Sequence, residues 1–140
     1  MYQVVVDTNV LVAGLRSRNG TSWRLLSMLG NGQWRPNLTV ALVLEYEAIL
    51  KRDRAASGLT ENDIDTVLDT VCSQAGLHRQ YFSWRPTLPD PDDDLVLEAA
   101  IASNSDYIVT FNRRDFRRIE KFGIRCLTPG EFLILLGAHP

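Results

Sequence analysis

Hydrophobic positions along this 140-residue chain form short apolar runs, separated by sets of apolar residues spaced three and four apart. Short runs rich in β-branched residues predict strands. The predicted strands cover residues 2–6, 33–38, 77–82, 107–110 and 124–127.

Apolar residues at helical spacing predict helices between these strands, and capping signals mark several of the helix starts. Thr39 is a predicted N-cap, as is Thr60 with Asp63 three residues later. Thr21 or Ser22 would cap the second helix, and Gly30 or Gly32 would end it. Counted with their caps, the predicted helices cover residues 8–14, 21–30, 39–52, 60–76, 92–104, 113–121 and 129–136. This alternation predicts an α/β fold, a three-layer sandwich around a mostly parallel, Rossmann-like central sheet.

The length of the chain is that of one compact domain, so residues 1–140 are expected to fold as a single unit. No apolar stretch reaches the roughly 18 residues that a membrane span needs. The first residues carry no basic group and Asp7 ends the apolar run that follows, which is unlike a signal peptide. These features predict a cytoplasmic protein with no membrane partner.

Five cysteine and tryptophan side chains are expected to pack rather than to do chemistry. The two cysteines are far apart in sequence and fit neither a disulfide framework nor a metal knuckle, so both are expected to be buried. The tryptophans are expected to lie in the core or in an interface rather than to stack on bases. These residues are Cys72, Cys126, Trp23, Trp34 and Trp84.

The net charge of −2 is unfavourable for nucleic-acid binding, but the charges are unevenly distributed. Residues 90–106 contain six acidic residues and no basic one, whereas residues 113–125 contain six basic residues and two acidic ones. A solvated helix face and a surface for phosphates are both consistent with the basic segment. The arginines expected to contact phosphates are Arg113, Arg114 and Arg117, with Arg16, Arg18 and Arg24 as additional candidates.

Acidic residues are predicted to converge at one edge of the sheet, because functional groups of parallel sheets collect at the carboxyl ends of strands. Asp7 ends the first predicted strand, Asp115 follows the fourth, and Asp93 opens the helix between them. Hard divalent cations such as Mg²⁺ prefer oxygen ligands of this kind. His78 and His139 lie outside these segments, so a metal-free pair of catalytic histidines is not indicated.

Four segments together resemble the PIN-domain family over essentially the whole chain. They are the apolar strand ending in Asp-Thr-Asn at 4–9, the Glu-Tyr helix at 39–46, Asp-Pro-Asp-Asp-Asp at 90–96 and Thr-Phe-Asn-x-x-Asp-Phe at 109–116. The nearest resemblance is to the bacterial and archaeal group named as toxin components of toxin-antitoxin pairs. It implies a divalent-metal-dependent endoribonuclease that hydrolyses RNA phosphodiester bonds, forms a homodimer and is inhibited by a small antitoxin protein.

The resemblance also implies roles for individual residues. Asp7, Glu45, Asp93 and Asp115 match the positions at which the family holds Mg²⁺ or Mn²⁺. Asp93 is preferred because it begins the family's Asp-x-x-Val-Leu-x-x-Ala pattern, but Asp94 remains an alternative ligand. Glu47 competes with Glu45, since helix geometry barely separates the two and only the family's spacing favours Glu45. The expected supporting polar residues are Asn9, Thr110, Asn112 and Asp90.

Other functions are compatible with parts of the pattern. A catalytically weak module of the same fold would bind RNA or protein without cutting it. A haloacid-dehalogenase phosphatase would need an acid where Asn9 stands, and a response-regulator receiver would need a lysine near Thr128. A dinucleotide-binding protein would need a Gly-x-Gly-x-x-Gly turn after the first strand, and the chain has none there.

Overall fold

Five parallel strands form the central sheet of the protein in a computed structural model, which describes residues 1–78 and 91–138 except for the side chains of residues 91–94, 115, 117, 118 and 121. The order of the strands is β3-β2-β1-β4-β5, and every neighbouring pair is parallel. The α/β fold is therefore confirmed, and the sheet expected to be mostly parallel is wholly parallel in the described residues. The strands are β1 (Tyr2–Val6), β2 (Trp34–Leu38), β3 (Gly76–Leu77), β4 (Tyr107–Val109) and β5 (Arg125–Leu127).

Helices connect the strands in nearly the predicted order. A 3₁₀ helix spans Arg113–Phe122, where the sequence predicted a short basic helix at 113–121. Most of the predicted strand 77–82 and the Trp84 prediction lie outside the described residues. The α-helices are α1 (Thr8–Arg16), α2 (Thr21–Ser27), α3 (Val40–Arg52), α4 (Arg54–Ser57), α5 (Glu61–Gln74), α6 (Pro91–Ser103) and α7 (Pro129–Leu135).

One local prediction was wrong, and one short helix was not predicted. The N-cap of α2 is Gly20, which has no side chain to offer, and neither Thr21 nor Ser22 caps the helix because both already lie within it. The single turn α4 was not predicted, since four residues are too few to show a helical period. It ends at Gly58, whose φ of +74° suits a residue without a Cβ.

Capping interactions fix the helices that leave the sheet. Thr39 accepts a hydrogen bond at its Oγ1 from the backbone N–H of Leu42, at 3.2 Å, as predicted. The predicted pair of Thr60 and Asp63 forms a reciprocal capping box at the start of α5. Below the Thr39 cap, Leu42 and Tyr46 of α3 point into the core.

Helices cover both faces of the sheet. Side chains alternate along a strand, so Tyr2, Trp34 and Tyr107 share one face by the strand register. Phe132 of α7 lies against all three, with ring centroids 6.1, 6.0 and 5.9 Å away. Trp34 is accordingly a core residue, as expected.

The opposite face carries a buried polar link between strands and helix α6. The amide Nδ2 of Asn37 donates to Gln3 Oε1 at 3.0 Å and to Ser105 Oγ at 3.3 Å. The hydroxyls of Ser105 and Ser103 lie 2.6 Å apart, which joins this link to the end of α6. Asn37 is 1% exposed, so these bonds offset the cost of burying its amide.

Helices α1 and α3 run side by side in the same direction. Thr8 donates from its hydroxyl to Glu45 Oε2 at 2.9 Å, and Arg16 Nε donates to Asp53 Oδ2 at 2.9 Å. Each pair is separated by the same interval in sequence, so the two helices stay in register over about two turns. This register sets the height of Glu45 relative to the end of β1.

Two smaller expectations were also tested. Cys72 and Cys126 are free thiols but only half-buried, which corrects the prediction that both are core residues. Each lies at the margin of a packed layer, in α5 and in β5, where one side of the residue still reaches solvent. No helix in residues 1–78 or 91–138 is both long and apolar enough to cross a membrane.

Replacing Thr39 by Ala should lower the free energy of unfolding by about 1 kcal/mol, because the N–H of Leu42 loses its acceptor. Thr39→Ser keeps the hydroxyl and serves as the matched control. Urea denaturation of both variants measures the effect. Equal stability of Thr39→Ala and the wild type would show that this cap contributes nothing.

Candidate active site

The strand order reverses between β1 and β4, and such a reversal opens a crevice at the carboxyl ends of the two strands. Asp7 follows β1 directly, and Thr110 follows β4 directly. The backbone N–H of Asp7 donates to the carbonyl of Val109 at 2.9 Å, so the two strand ends meet. Asp7 and Thr110 therefore lie at the place where an α/β sheet binds ligands.

The carboxylate of Asp7 is held in this crevice although it is only 6% exposed. Thr110 donates from its hydroxyl to Asp7 Oδ2 at 2.7 Å. The same hydroxyl oxygen accepts a hydrogen bond from the backbone N–H of Asn112 at 3.0 Å. This relay orients a buried carboxylate and offsets part of the cost of removing it from water.

Glu45 is linked to Asp7 through Thr8. Its Oε2 accepts from Thr8, the residue that follows Asp7. Glu47, the competing candidate, instead lies 3.4 Å from Lys51 Nζ, and its side chain is 45% exposed. Geometry thus brings Glu45 rather than Glu47 to the Asp7 edge, while the ligand role of Glu45 stays a prediction.

Tyr46 connects the helix of Glu45 to the strand of Asp7. Its hydroxyl donates to the carbonyl of Val6, and the side chain is buried. Burial raises the pKa of Tyr46 well above its ordinary value, and the negative charges of Asp7 and Glu45 raise this pKa further. Both carboxylates therefore lie near enough to this buried phenol for their charges to act on it.

Sequence reasoning did not single out Tyr46 or Thr8 as site residues. Tyr46 belongs to the Glu-Tyr segment of the resemblance, but it was given no role because its hydroxyl partner is distant in sequence. A buried tyrosine usually needs a partner for its hydroxyl, and that need was the available signal. Thr8 belongs to the Asp-Thr-Asn segment, but its bond to Glu45 depends on the register of α1 and α3.

The remaining predicted acids cannot be placed beside Asp7 from the described residues. Asp93 and Asp94 belong to the first turns of α6, and Asp115 belongs to the 3₁₀ helix, but their side chains lie outside the described part. Asp90 lies outside the described residues altogether. Asn9 is described, and its Oδ1 is buried without a hydrogen-bond partner.

The donors that are described fit a hard divalent cation. They are oxygen atoms only: the carboxylates of Asp7 and Glu45, with the amide oxygen of Asn9, in the first turn of α1, which has no partner among the described residues. Within the described residues no three His, Cys, Asp or Glu side chains are grouped closely enough to hold a metal by themselves. A complete site would need further ligands.

A cavity of about 580 Å³ begins just beyond Thr110. Arg113 on its wall pairs with Glu131 of α7 at 3.1 Å, whereas Arg114 has no carboxylate partner in the described part of the chain. The side chain of Arg117 lies outside that part. The residues that line the cavity are Phe111, Asn112, Arg113, Arg114, Phe116, Glu120 and Cys126.

Cys126 is not a nucleophile for this cavity. Burial raises the pKa of its thiol to about 12, and the charge of Asp7 adds to the effect. The thiolate is the reactive form, so at neutral pH this residue is an inert neutral group. The thiol therefore adds no nucleophile to the carboxylates at this edge.

In α/β proteins, ligands bind at the switch point of the sheet, and oxygen donors placed there suit a hard cation. Comparison with known families matches the PIN domain to residues 3–114, which is most of the chain. The chain belongs to the PIN domain family, whose members are generally nucleases that use divalent metals. Asp7 and Glu45 lie inside the matched segment, and Asp115 lies one residue beyond it. A comparison with curated proteins found no match.

Millimolar Mg²⁺ or Mn²⁺ should raise the melting temperature, because a cation relieves the repulsion between neighbouring carboxylates. At ten times its Kd a ligand adds about 1.4 kcal/mol of stability, which corresponds to a rise of a few degrees. Asp7→Asn, and likewise Asp93→Asn, should reduce this rise. Differential scanning fluorimetry measures it.

Glu47→Gln is the matched control for the metal response, since it removes a carboxylate that faces Lys51 instead of the site. It should shift with metal as the wild type does. A wild-type melting temperature that does not respond to either metal would refute the proposed metal site.

Proposed function

We propose that this protein is a divalent-metal-dependent endoribonuclease that hydrolyses RNA phosphodiester bonds. The observation that carries the proposal is the buried carboxylate of Asp7, held by Thr110 at the sheet's switch point beside Glu45. Membership of the PIN domain family supports a nuclease. The choice of RNA as substrate rests on the resemblance to the toxin group.

The proposed metal ligands are Asp7 and Glu45, completed by Asp93 or Asp94 and by Asp115. A bound Mg²⁺ or Mn²⁺ lowers the pKa of a water molecule and neutralises charge that develops on the phosphodiester. The described residues position this chemistry. Thr110 orients Asp7, and Thr8 orients Glu45, so neither carboxylate has to be immobilised during the reaction.

Contacts with the RNA backbone are proposed for Arg113, Arg114 and Arg117. The cavity beside Thr110, at about 580 Å³, is within the size range of pockets for small ligands. Arg114 is the strongest of these candidates, because it is exposed and no described carboxylate neutralises it. Arg113 would have to share its charge with Glu131.

The finer biological role is proposed from the resemblance alone. The protein would be the cytoplasmic toxin of a toxin-antitoxin pair, a homodimer held inactive by a small protein partner. Induced expression should then stop growth, and Asp7→Asn should relieve that arrest. A small open reading frame next to the gene, whose product restores growth, would identify the antitoxin.

Glu45→Gln should reduce Mn²⁺-dependent cleavage of labelled single-stranded RNA by roughly a hundredfold or more, because it removes a charge that is proposed to hold the metal. Glu47→Gln lies on the same helix and makes the same chemical change outside the site. It should cleave as the wild type does. Gel separation of the products, with and without Mn²⁺, measures the rates.

Asp93→Asn should fail in the same assay, and chelation of the metal should stop the wild-type reaction. RNA that binds tightly but remains intact with either metal would instead indicate a binding module of the same fold. Equal loss in Glu45→Gln and Glu47→Gln would show that the two carboxylates matter only for stability.

Arg114→Ala should weaken RNA binding and lower the salt dependence, since one phosphate contact fewer reduces the slope of log K against log salt by about 0.7 for a single strand. Arg35→Ala is the control, because Arg35 is also exposed but belongs to β2 and does not line the cavity of Arg114. Fluorescence anisotropy over a salt series measures both. Identical slopes for the two variants would refute the assignment.

A further inference from the structure

A second cavity, of about 250 Å³, is lined by the loop after α1 and by residues of α2. Helix α2 packs closely on α1 nearby, since a Cβ on Gly14 would lie 2.7 Å from Leu26 Cδ1. The residues on its wall that bear on its chemistry are Arg18, Asn19, Thr21, Trp23 and Arg24.

Trp23 of this cavity is half-buried and not part of the core. The guanidinium carbon of Arg18 lies 5.6 Å from the centroid of the indole ring, within the range of a cation–π contact. A cation over the ring keeps the indole oriented at the wall. The indole and the guanidinium over it are both flat groups on which a base can stack.

The cavity is also positively charged. Residues 8–44 contain four arginines and no acidic residue, in a protein whose net charge is −2. Arg16 in this span is neutralised by Asp53. Arg18 and Arg24 are exposed and pair with no carboxylate in the described residues, so their charges remain available to an anion.

The start of α2, which lines the cavity, lies near the start of α7. Thr21, the first residue of α2, lies against Gly130 in the first turn of α7. That turn follows the carboxyl end of β5, where the carbonyl of Leu127 accepts from the N–H of Thr110. Arg113 pairs with Glu131 of the same turn. The start of α7 thus separates two basic surfaces.

We propose that the cavity of Arg18, Trp23 and Arg24 binds one unpaired nucleotide of an RNA strand, away from the bond that is cut. The base stacks on the indole of Trp23, and Arg24 contacts the adjacent phosphate. A base must be unpaired to stack on the ring, so the site selects single-stranded over paired RNA. No acidic side chain lines the cavity to accept a hydrogen bond from a base edge, so the site tolerates any base. The assignment of RNA rests on the proposed function, but stacking and charge do not depend on cleavage.

The experiment measures binding of a labelled, mixed-sequence single strand of about 12 nucleotides to the whole protein in EDTA, so that no cleavage occurs. Trp23→Leu and Arg24→Ala should each weaken binding roughly tenfold, whereas Trp23→Phe, which keeps an aromatic ring, should stay close to the wild type. Wild type should bind the single strand more tightly than the duplex, and Trp23→Leu should lose that preference.

Arg35→Ala is the matched control. Arg35 is an exposed arginine of the same acid-free span, but it belongs to β2 rather than to the cavity. Its removal should change affinity less than about twofold. Equal effects of Arg24→Ala and Arg35→Ala would overturn the proposal, as would an unchanged single-strand preference in Trp23→Leu. If Trp23→Leu does not fold, Arg24→Ala and Trp23→Phe decide the question, because Arg24 is exposed and phenylalanine replaces the ring.

Cleavage separates this proposal from the proposed function. With Mn²⁺, Arg24→Ala should raise KM for the long strand, leave kcat unchanged, and leave cleavage of a fragment of about four nucleotides unaffected. A wild type that never cleaves but binds through Trp23 and Arg24 would refute the nuclease and keep the binding site. Cleavage with a KM insensitive to Arg24→Ala would keep the nuclease and refute the binding site.

A protein partner is the other possible occupant of the cavity. If RNA binding is insensitive to Arg24→Ala, and an acidic protein competes with RNA for the wild type but not for this variant, the cavity is reassigned to a protein partner.

Discussion

A carboxylate placed at the end of a buried strand is the constraint on which the rest of this structure depends. Asp7 is almost fully buried, and an ionised group in that position is costly unless hydrogen bonds compensate it. Thr110 supplies one such bond from the end of the neighbouring strand. The bond therefore requires β1 and β4 to be adjacent and in register. The pairing that stabilises the sheet thus also positions the acid.

Helix α3 also positions an acid through contacts that stabilise the fold. Its cap at Thr39 fixes where it begins, and the buried hydroxyl of Tyr46 donates to the carbonyl of Val6 just before Asp7. Glu45 directly precedes Tyr46, so the bond that anchors the helix also sets the height of the Glu45 carboxylate. The parallel register with α1 then turns Glu45 toward Thr8. Residues that stabilise the fold thus place the second acid.

Local chemistry explains which features could be predicted from the sequence. The apolar runs gave the strands, and the hydroxyl caps at Thr39 and Thr60 gave two helix starts, because each depends only on residues a few positions apart. Contacts between residues that are distant in sequence could not be predicted. Glu45 and Glu47 lie on the same helix and differ in what other elements bring to them, Thr8 in one case and Lys51 in the other. The glycine cap of α2 was missed because the hydroxyls that follow it are stronger signals in sequence than glycine.

For such a site to bind a polyanion, its acidic and basic groups must lie close together without neutralising one another. A negatively charged substrate approaches a cluster of carboxylates only if basic groups stand near enough to attract it, yet not so near that they neutralise the acids. Two of the described arginines pair with acids other than the proposed ligands: Arg16 pairs with Asp53, and Arg113 pairs with Glu131. Those left without a described carboxylate partner, Arg24 among them, lie to the side of the crevice. An overall charge of −2 therefore does not oppose RNA binding, because the potential along a strand's path depends on where the charges lie and not on their sum.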